Sequence, residues 1–271
     1  MSERSGCEPG VPCRVDLSST DVTLSVRFYR EIFGWEAVFD PRPESGGHGR
    51  FTLDGETVAG IGPALGDGVP SAWNAHVATA DAEATASAVL AAGGRVVLEP
   101  ARALGGGIVA AFQDPSGAFL AVWQPVERPV ERPVTPVPGT GAGRDALVWN
   151  ELVTSDVAGC EAFYRAVFDW GAKGADLAGT PYVEWHLHGR PVAGAVETDP
   201  RLSRDTPPHW RTCFAVGDVE AVVARVGDLG GRVLVPPSPT PRGTRAVVAD
   251  PQFAVFGVLG RSAPTEEHRR W

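Results

Sequence analysis

Ser19-Thr20-Asp21-Val22, Phe28-Tyr29-Arg30 and Phe33-Gly34-Trp35 follow one another near the start of the chain, and Thr154-Ser155-Asp156-Val157, Phe163-Tyr164-Arg165 and Phe168-Asp169-Trp170 repeat them 135 residues later. Outward from these anchors, Val58-Ala59-Gly60 returns as Val192-Ala193-Gly194, and Trp73 with Asp81 as Trp210 with Asp218. Gly93-Gly94-Arg95 returns as Gly230-Gly231-Arg232, and Asp114-Pro115 as Asp250-Pro251. The offset stays between 134 and 137. Ordered matches at so steady an offset mark a tandem duplication whose halves differ by small loop changes. The modules span 10–124 and 146–260. The segment 125–145 carries Pro125, Pro129, Pro133, Pro136 and Pro138, which favour extended chain and forbid a helix, so it reads as a semi-rigid linker. A polar tail covers 261–271.

Each module reads as an α+β unit. From Cys13 to Ser18, Val15 and Leu17 alternate with Arg14, Asp16 and Ser18, the pattern of a half-buried strand. Thr20 or Asp21 caps the next helix, where Val22, Val26, Tyr29, Ile32 and Phe33 recur at helical spacing until Gly34. Asp54-Gly55 joins a hairpin of Arg50–Leu53 and Glu56–Gly60, with His188-Gly189 at the equivalent turn. Trp73–Thr79 reads as a strand, Ala82–Ala92 as a helix, and Arg95–Leu98, Gly107–Phe112 and Ala118–Trp123 as strands. Each module is therefore βαβββ twice over, a curved mixed sheet open to a cup on one side.

Composition excludes several functions. With 43% hydrophobic and 21% charged residues the 271-residue chain is an ordinary globular one. A net charge of −9 with no basic run argues against nucleic acid. No apolar leader or bilayer-length apolar run is visible, so a cytoplasmic protein without membrane contact is expected. Cys7, Cys13, Cys160 and Cys213 show no CxxC spacing and read as reduced thiols. Neither GxGxxG after a strand, nor GxSxG, nor a Walker A motif occurs.

The strand, the aspartate, the Phe-Tyr-Arg helix ending in Phe-Gly-Trp and the Asp-Pro-x-Gly turn before the last strand together resemble the vicinal oxygen chelate superfamily, which includes glyoxalases, extradiol dioxygenases and bleomycin-resistance proteins. The chain is also similar to tandem actinomycete proteins, some of them drug-binding or accessory proteins of anthracycline-type pathways. The second module departs at Phe253, where the turn expects glycine. The fold hosts lyases, isomerases, oxygenases and binding proteins alike. The resemblance implies a metal held by a His or Gln seven residues before the first helix aspartate, a His seven before the second, and a Glu seven after the aspartate of Asp-Pro. Those positions hold Arg14, Asn74 and Ala121 in the first module, and Trp149, Arg211 and Gly257 in the second. The family's metal pattern is thus missing from both, and no cofactor is expected. A displaced divalent-metal site from His76, Asp16 and Glu151 is the alternative, against pairing of Arg14 with Asp16 and of Arg211 with Glu151.

Parity places Asp16 and His76 beside Arg14 and Asn74, Glu151 beside Trp149, and Phe119 and Trp123 beside Ala121, all facing the cups. Tyr182, Trp185 and His186 lie on the strand that usually walls the ligand. Trp35 and Trp170 read as core. Aromatic residues in place of metal ligands point to a flat, partly apolar ligand whose polar edges meet Arg14, Arg211 and the inward acids. Three functions fit: binding of an aromatic natural product in self-resistance or as a pathway accessory; an enzyme of the same fold, of isomerase, cyclase, hydroxylase or lyase type, using His76, Asp16 or Glu151 as acid or base; or a metal-dependent lyase or dioxygenase with displaced ligands. Because single modules of this superfamily pair to build the cups, the duplication is compatible with a monomer or a homodimer.

Overall fold

The computed structural model describes residues 8–64, 66, 68–103, 106–125, 147–177, 179–198, 207–240 and 243–260. The linker expected over 125–145, apart from Pro125, and the tail expected at 261–271 lie outside these residues. The first module runs β1 (Pro12–Ser19), α1 (Val22–Phe33), β2 (Glu36–Phe39), a short 3-10 turn, β3 (Gly49–Leu53), β4 (Glu56–Pro63), β5 (Ala72–Ala78), α2 (Ala82–Ala91), β6 (Arg95–Ala103), β7 (Gly107–Gln113) and β8 (Phe119–Pro125). The second repeats it as β9 (Leu147–Thr154), α3 (Val157–Phe168), β10 (Gly171–Leu177), β11 (Thr180–Leu187), β12 (Arg190–Glu197), β13 (His209–Val216), α4 (Val219–Asp228), β14 (Arg232–Thr240), β15 (Gly243–Ala249) and β16 (Val255–Gly260).

Each module is one eight-stranded mixed sheet, in the orders β2-β3-β4-β1-β5-β8-β7-β6 and β10-β11-β12-β9-β13-β16-β15-β14. The two βαβββ halves of a module meet at antiparallel pairs, β1 with β5 and β9 with β13. The edge strand β2 was not singled out from sequence; it is mostly exposed, with only Ala37 packing inward, so no apolar alternation marks it. β6 runs past the expected Leu98 through Pro100, and its register shifts there, as proline on a sheet edge allows.

The four helices start alike. Asp21, Asp81, Asp156 and Asp218 accept the amide N–H of Leu24, Ala84, Gly159 and Ala221 at 2.9–3.0 Å. Each such cap stabilises its helix by about 1 kcal/mol. The helix-starting aspartates of the repeat are therefore N-caps. α1 buries Phe28, Tyr29 and Phe33, while Val22, Val26 and Ile32 flank them partly buried.

Alternation on the strands divides each sheet into a core face and a cup face. On β1, Val15 and Leu17 are buried while Arg14, Asp16 and Ser18 stay partly open on the opposite side. The core faces of the two modules pack on each other. One core joins Phe28, Tyr29, Phe33, Trp35, Phe51 and Trp73 to Phe214, Val216, Val226 and Phe256. The other joins Val77, Val89, Phe112 and Leu120 to Phe163, Tyr164, Trp170, Trp185 and Trp210. The first half of each module thus shares its core with the second half of the other.

A matched pair of hydrogen-bond relays crosses these cores. Trp73 Nε1 donates to Tyr29 Oη at 2.9 Å, and Tyr29 donates to Asp250 Oδ2 at 3.1 Å. Trp210 Nε1 donates to Tyr164 Oη at 2.9 Å, and Tyr164 donates to Asp114 Oδ2 at 2.8 Å. Burial, and next the nearby aspartate, push both phenols well above their ordinary range, so they remain donors. Asp114 and Asp250 also accept the amides of Ala118 and Ala254, closing the Asp-Pro turns. Phe253 adopts φ 69° in its turn, with Arg232 4.6 Å above its ring, so the turn geometry survives without glycine. Tyr29→Phe and Tyr164→Phe should each destabilise the protein by about 1–3 kcal/mol, because a buried indole N–H and a buried carboxylate both lose their partner. Urea unfolding measures this. Wild-type stability in both variants would show the relays to be dispensable.

Candidate functional site

On the first module's cup face, register places Arg14 opposite His76, Asp16 opposite Asn74, and His76 opposite Ala121. Asn74 Nδ2 donates to Asp16 Oδ2 at 3.0 Å and to Ser18 Oγ at 2.8 Å. His76 Nε2 bonds the other oxygen of Asp16. His76 Nδ1 is buried and has no hydrogen-bond partner among the described residues. Burial works to raise the Asp16 carboxyl, but His76, then Asn74 and Arg14, bring it below the ordinary aspartate value. Its side chain keeps 29% exposure.

Arg14 does not pair with Asp16, as one sequence reading expected. Its guanidinium reaches from β1 over β5 to lie 4.2 Å above the Trp123 ring on β8. Arg14 makes no hydrogen bond or ion pair among the described residues. The indole also packs against Gly107, where a Cβ would overlap the ring. Trp123 and Phe119 are half-buried.

The second cup is built on the same register with different side chains. Glu151 stands opposite Arg211 and Gly194 as Asp16 stands opposite Asn74 and Gly60. Arg211 donates through Nε and Nη2 to Glu151 Oε2 at 3.2 and 2.8 Å, and Arg245 Nη2 reaches the same oxygen at 2.5 Å. Tyr182 Oη donates to Glu151 Oε1 at 3.1 Å and accepts Trp149 Nε1 at 2.7 Å. Gly194 permits this, since a Cβ there would collide with the Tyr182 hydroxyl. The expected pairing of Arg211 with Glu151 is present, and their side chains retain 4% and 5% exposure. Burial pushes the Glu151 carboxyl upward, yet Arg245 and Arg211, with Tyr182, hold it below its usual value. Arg245 was not singled out from sequence; its signal was parity on β15, where its neighbour Val247 stands opposite Gly257.

Two expected wall residues sit differently from the rest. Trp185 is fully buried in the inter-module core, against Tyr164, Trp170 and Trp210, and so does not face the cup. Strand alternation explains this, because Trp185 has opposite parity to Tyr182. His186 lies on the cup side of β11, 3.3 Å from Glu184, and away from Glu151's network.

The donor set does not suit a metal. Of the His, Glu and Gln ligands the family fold would use, Arg14, Asn74, Ala121, Trp149, Arg211 and Gly257 supply none, and Asp16 with His76 leaves two side-chain donors in the first cup. Among the described residues, no three His, Cys, Asp or Glu side chains group to hold an ion. Glu151, offered from sequence as a third ligand, is engaged by two guanidinium groups in the other module. The Cys160 and Cys213 thiols are pushed up to about 12, chiefly by burial and then by Asp114 and Glu151, so neither is a thiolate near neutrality. No helix of the described residues is long and apolar enough to cross a membrane.

Paired βαβββ sheets with concave faces define the class, and the chain belongs to the glyoxalase/bleomycin resistance protein/dioxygenase superfamily. That family's profile matches residues 14–122, and a glyoxalase-like domain matches 148–259. Among its relatives, the anthracycline biosynthesis protein DauV of Streptomyces sp. (strain C5) is 39% identical over 93% of both chains. The anthracycline biosynthesis protein DnrV of Streptomyces peucetius is 38% identical over the same shares. A putative glyoxylase, CFP32, of Mycobacterium bovis is 35% identical over 98% of this chain and 100% of that one. In fold the chain is similar to the Mn(II)-bound glyoxalase from Novosphingobium aromaticivorans, with TM-score 0.62, 16% identity and coverage of 93% and 82%.

Glu151→Gln should cost about 3–5 kcal/mol at neutral pH, because it leaves Arg211 and Arg245 buried without their anion. A carboxyl held below its ordinary 4.5 contributes stability that is full above that value and lost as pH falls through the folded one. The gap between wild type and Glu151→Gln in urea unfolding should therefore narrow below about pH 4.5. A gap unchanged between pH 7 and the acid limb would show that Glu151 is not held as an ion by its arginines.

Proposed function

We propose that this protein binds a small planar aromatic molecule without a metal ion, as an accessory or self-resistance factor in natural-product metabolism. The observation that carries the reading is the replacement of the family's metal-binding positions by Arg14, Asn74 and Ala121, and by Trp149, Arg211 and Gly257, on concave faces that also carry Trp123 and Phe119. A side-chain set of this kind offers stacking and directional hydrogen bonds in place of a Lewis acid. The relatives named for anthracycline biosynthesis support it, since anthracyclines are flat hydroxyquinones.

The His76–Asp16 pair favours a second reading, in which the bound molecule is also turned over. An imidazole held by a carboxylate is an arrangement suited to moving a proton. On this reading His76→Ala abolishes turnover of the bound compound while its affinity survives.

Metal analysis and tryptophan fluorescence on one purified sample test the main reading. Sub-stoichiometric metal, with emission that quenches saturably at micromolar concentrations of planar hydroxyquinones, is the expected result. Stoichiometric Fe, Zn, Mn or Ni with no quenching by any of them would overturn it.

A further inference from the structure

We infer that the first module's cup is the chain's working site and takes a planar aromatic ligand bearing an ionised oxygen that Arg14 receives, while the second module's cup is closed by its own Glu151, standing where such an anion would lie. The inference rests on the ligand-binding reading above and names the site and the ligand's charge.

The two cups can be compared strand by strand, because their registers coincide. Asp16 and Glu151 stand in equivalent places, each beside a glycine of the parallel neighbour strand. Arg211 replaces Asn74 opposite that carboxylate. Arg245, opposite Leu259, replaces Val109, opposite Trp123. Cys213, opposite Gly257, replaces His76, opposite Ala121. The longer acid and the two arginines are introduced together, and they meet on one oxygen: Arg211 Nη2 at 2.8 Å and Arg245 Nη2 at 2.5 Å from Glu151 Oε2. Tyr182 takes the other oxygen and is itself held by Trp149. Trp149, Tyr182, Glu151 and Arg211 are all buried. A ligand entering here would have to displace an internal carboxylate from two guanidinium groups in a desolvated site, which costs far more than a surface ion pair.

The first cup is organised in the opposite sense. Its carboxylate is held by Asn74 and His76, not by its arginine, and keeps 29% exposure against 5% for Glu151. Among the described residues Arg14 makes no hydrogen bond or ion-pair contact, feeling Asp16 only through space, and its guanidinium lies on Trp123. A half-buried guanidinium that stacks on a ring while keeping its N–H donors uncommitted is prepared for an anion, because its in-plane donors can bond the ionised oxygen while its face stays on Trp123. His76 Nδ1, like His209 Nε2 of the second module, is buried without a hydrogen-bond partner among the described residues, so the two cups differ in their arginines.

Alizarin Red S, a flat anthraquinone sulfonate, and quinizarin, a flat uncharged hydroxyanthraquinone, are the probes. Equilibrium dialysis counts the dye bound per chain, and fluorescence titration gives Kd for the wild type, Arg14→Met and Arg245→Gln, each checked for fold by circular dichroism. The expected result is one Alizarin Red S per chain, weakened about tenfold or more by Arg14→Met, with quinizarin weakened less. Arg245→Gln should leave Kd within about twofold while lowering Tm. Two dyes per chain, binding indifferent to Arg14→Met, or a larger loss in Arg245→Gln than in Arg14→Met overturns this inference and leaves the ligand-binding reading standing. Failure of both dyes to bind the wild type overturns that reading and this inference together. Should Arg245→Gln fail to fold, the wild-type stoichiometry and Arg14→Met decide the matter.

Discussion

The two relays from tryptophan through tyrosine to aspartate are the constraint on which the rest of the molecule depends. A βαβββ sheet has an apolar face that its own two helices cannot cover, and burial of that face supplies the main driving force. Here each module covers the other, and the buried polar groups that cross the contact permit only one relative placement. Tyr29 must meet Asp250 while taking the Trp73 N–H, and Tyr164 must meet Asp114 while taking that of Trp210. A shift of one module along the other would strand two phenols and two carboxylates in the core at once, and each stranded group is costly. The stacked rings around them, Trp35 on Tyr29 and Trp170 on Tyr164, are volume-matched copies of one another. The cups lie on the sheet faces turned away from this contact.

The duplication, the helix caps and the division of strands into core and cup faces were legible in the sequence, since each rests on local periodicity or on one side chain meeting its own backbone. Asp21, for instance, needs only Leu24 N–H to act as a cap. Partner choice was less legible. Arg14 and Asp16 lie on one face two residues apart, yet Asp16 turns to strand β5 and Arg14 reaches to β8, because strand order sets which neighbours are available. Arg211 and Glu151 were matched correctly, but the second guanidinium, Arg245, arrives from β15, 94 residues away. Trp185 was assigned to the cup through its proximity to Tyr182, although alternation sends it to the core. The edge strand β2, Glu36-Ala37-Val38-Phe39, carried apolar residues but no alternation. Phe253 departed from the expected glycine without changing the turn, so the deviation was visible and its harmlessness was not.

Duplication also explains why two cups of one origin differ so much. The inter-module contact requires both modules to keep their core faces intact, but it makes no demand on the concave faces. A cup free of a ligand holds polar residues at a desolvation cost, and such a face gains stability if its charges meet one another. The second module has taken that course: Glu151, Arg211, Arg245, Tyr182 and Trp149 form one connected set. The first has not: among the described residues Arg14 makes no hydrogen bond and lies on Trp123, while Asp16 is held by Asn74 and His76. The two faces of common origin therefore differ in how their arginines are committed: Arg211 and Arg245 converge on Glu151, while Arg14 lies on Trp123.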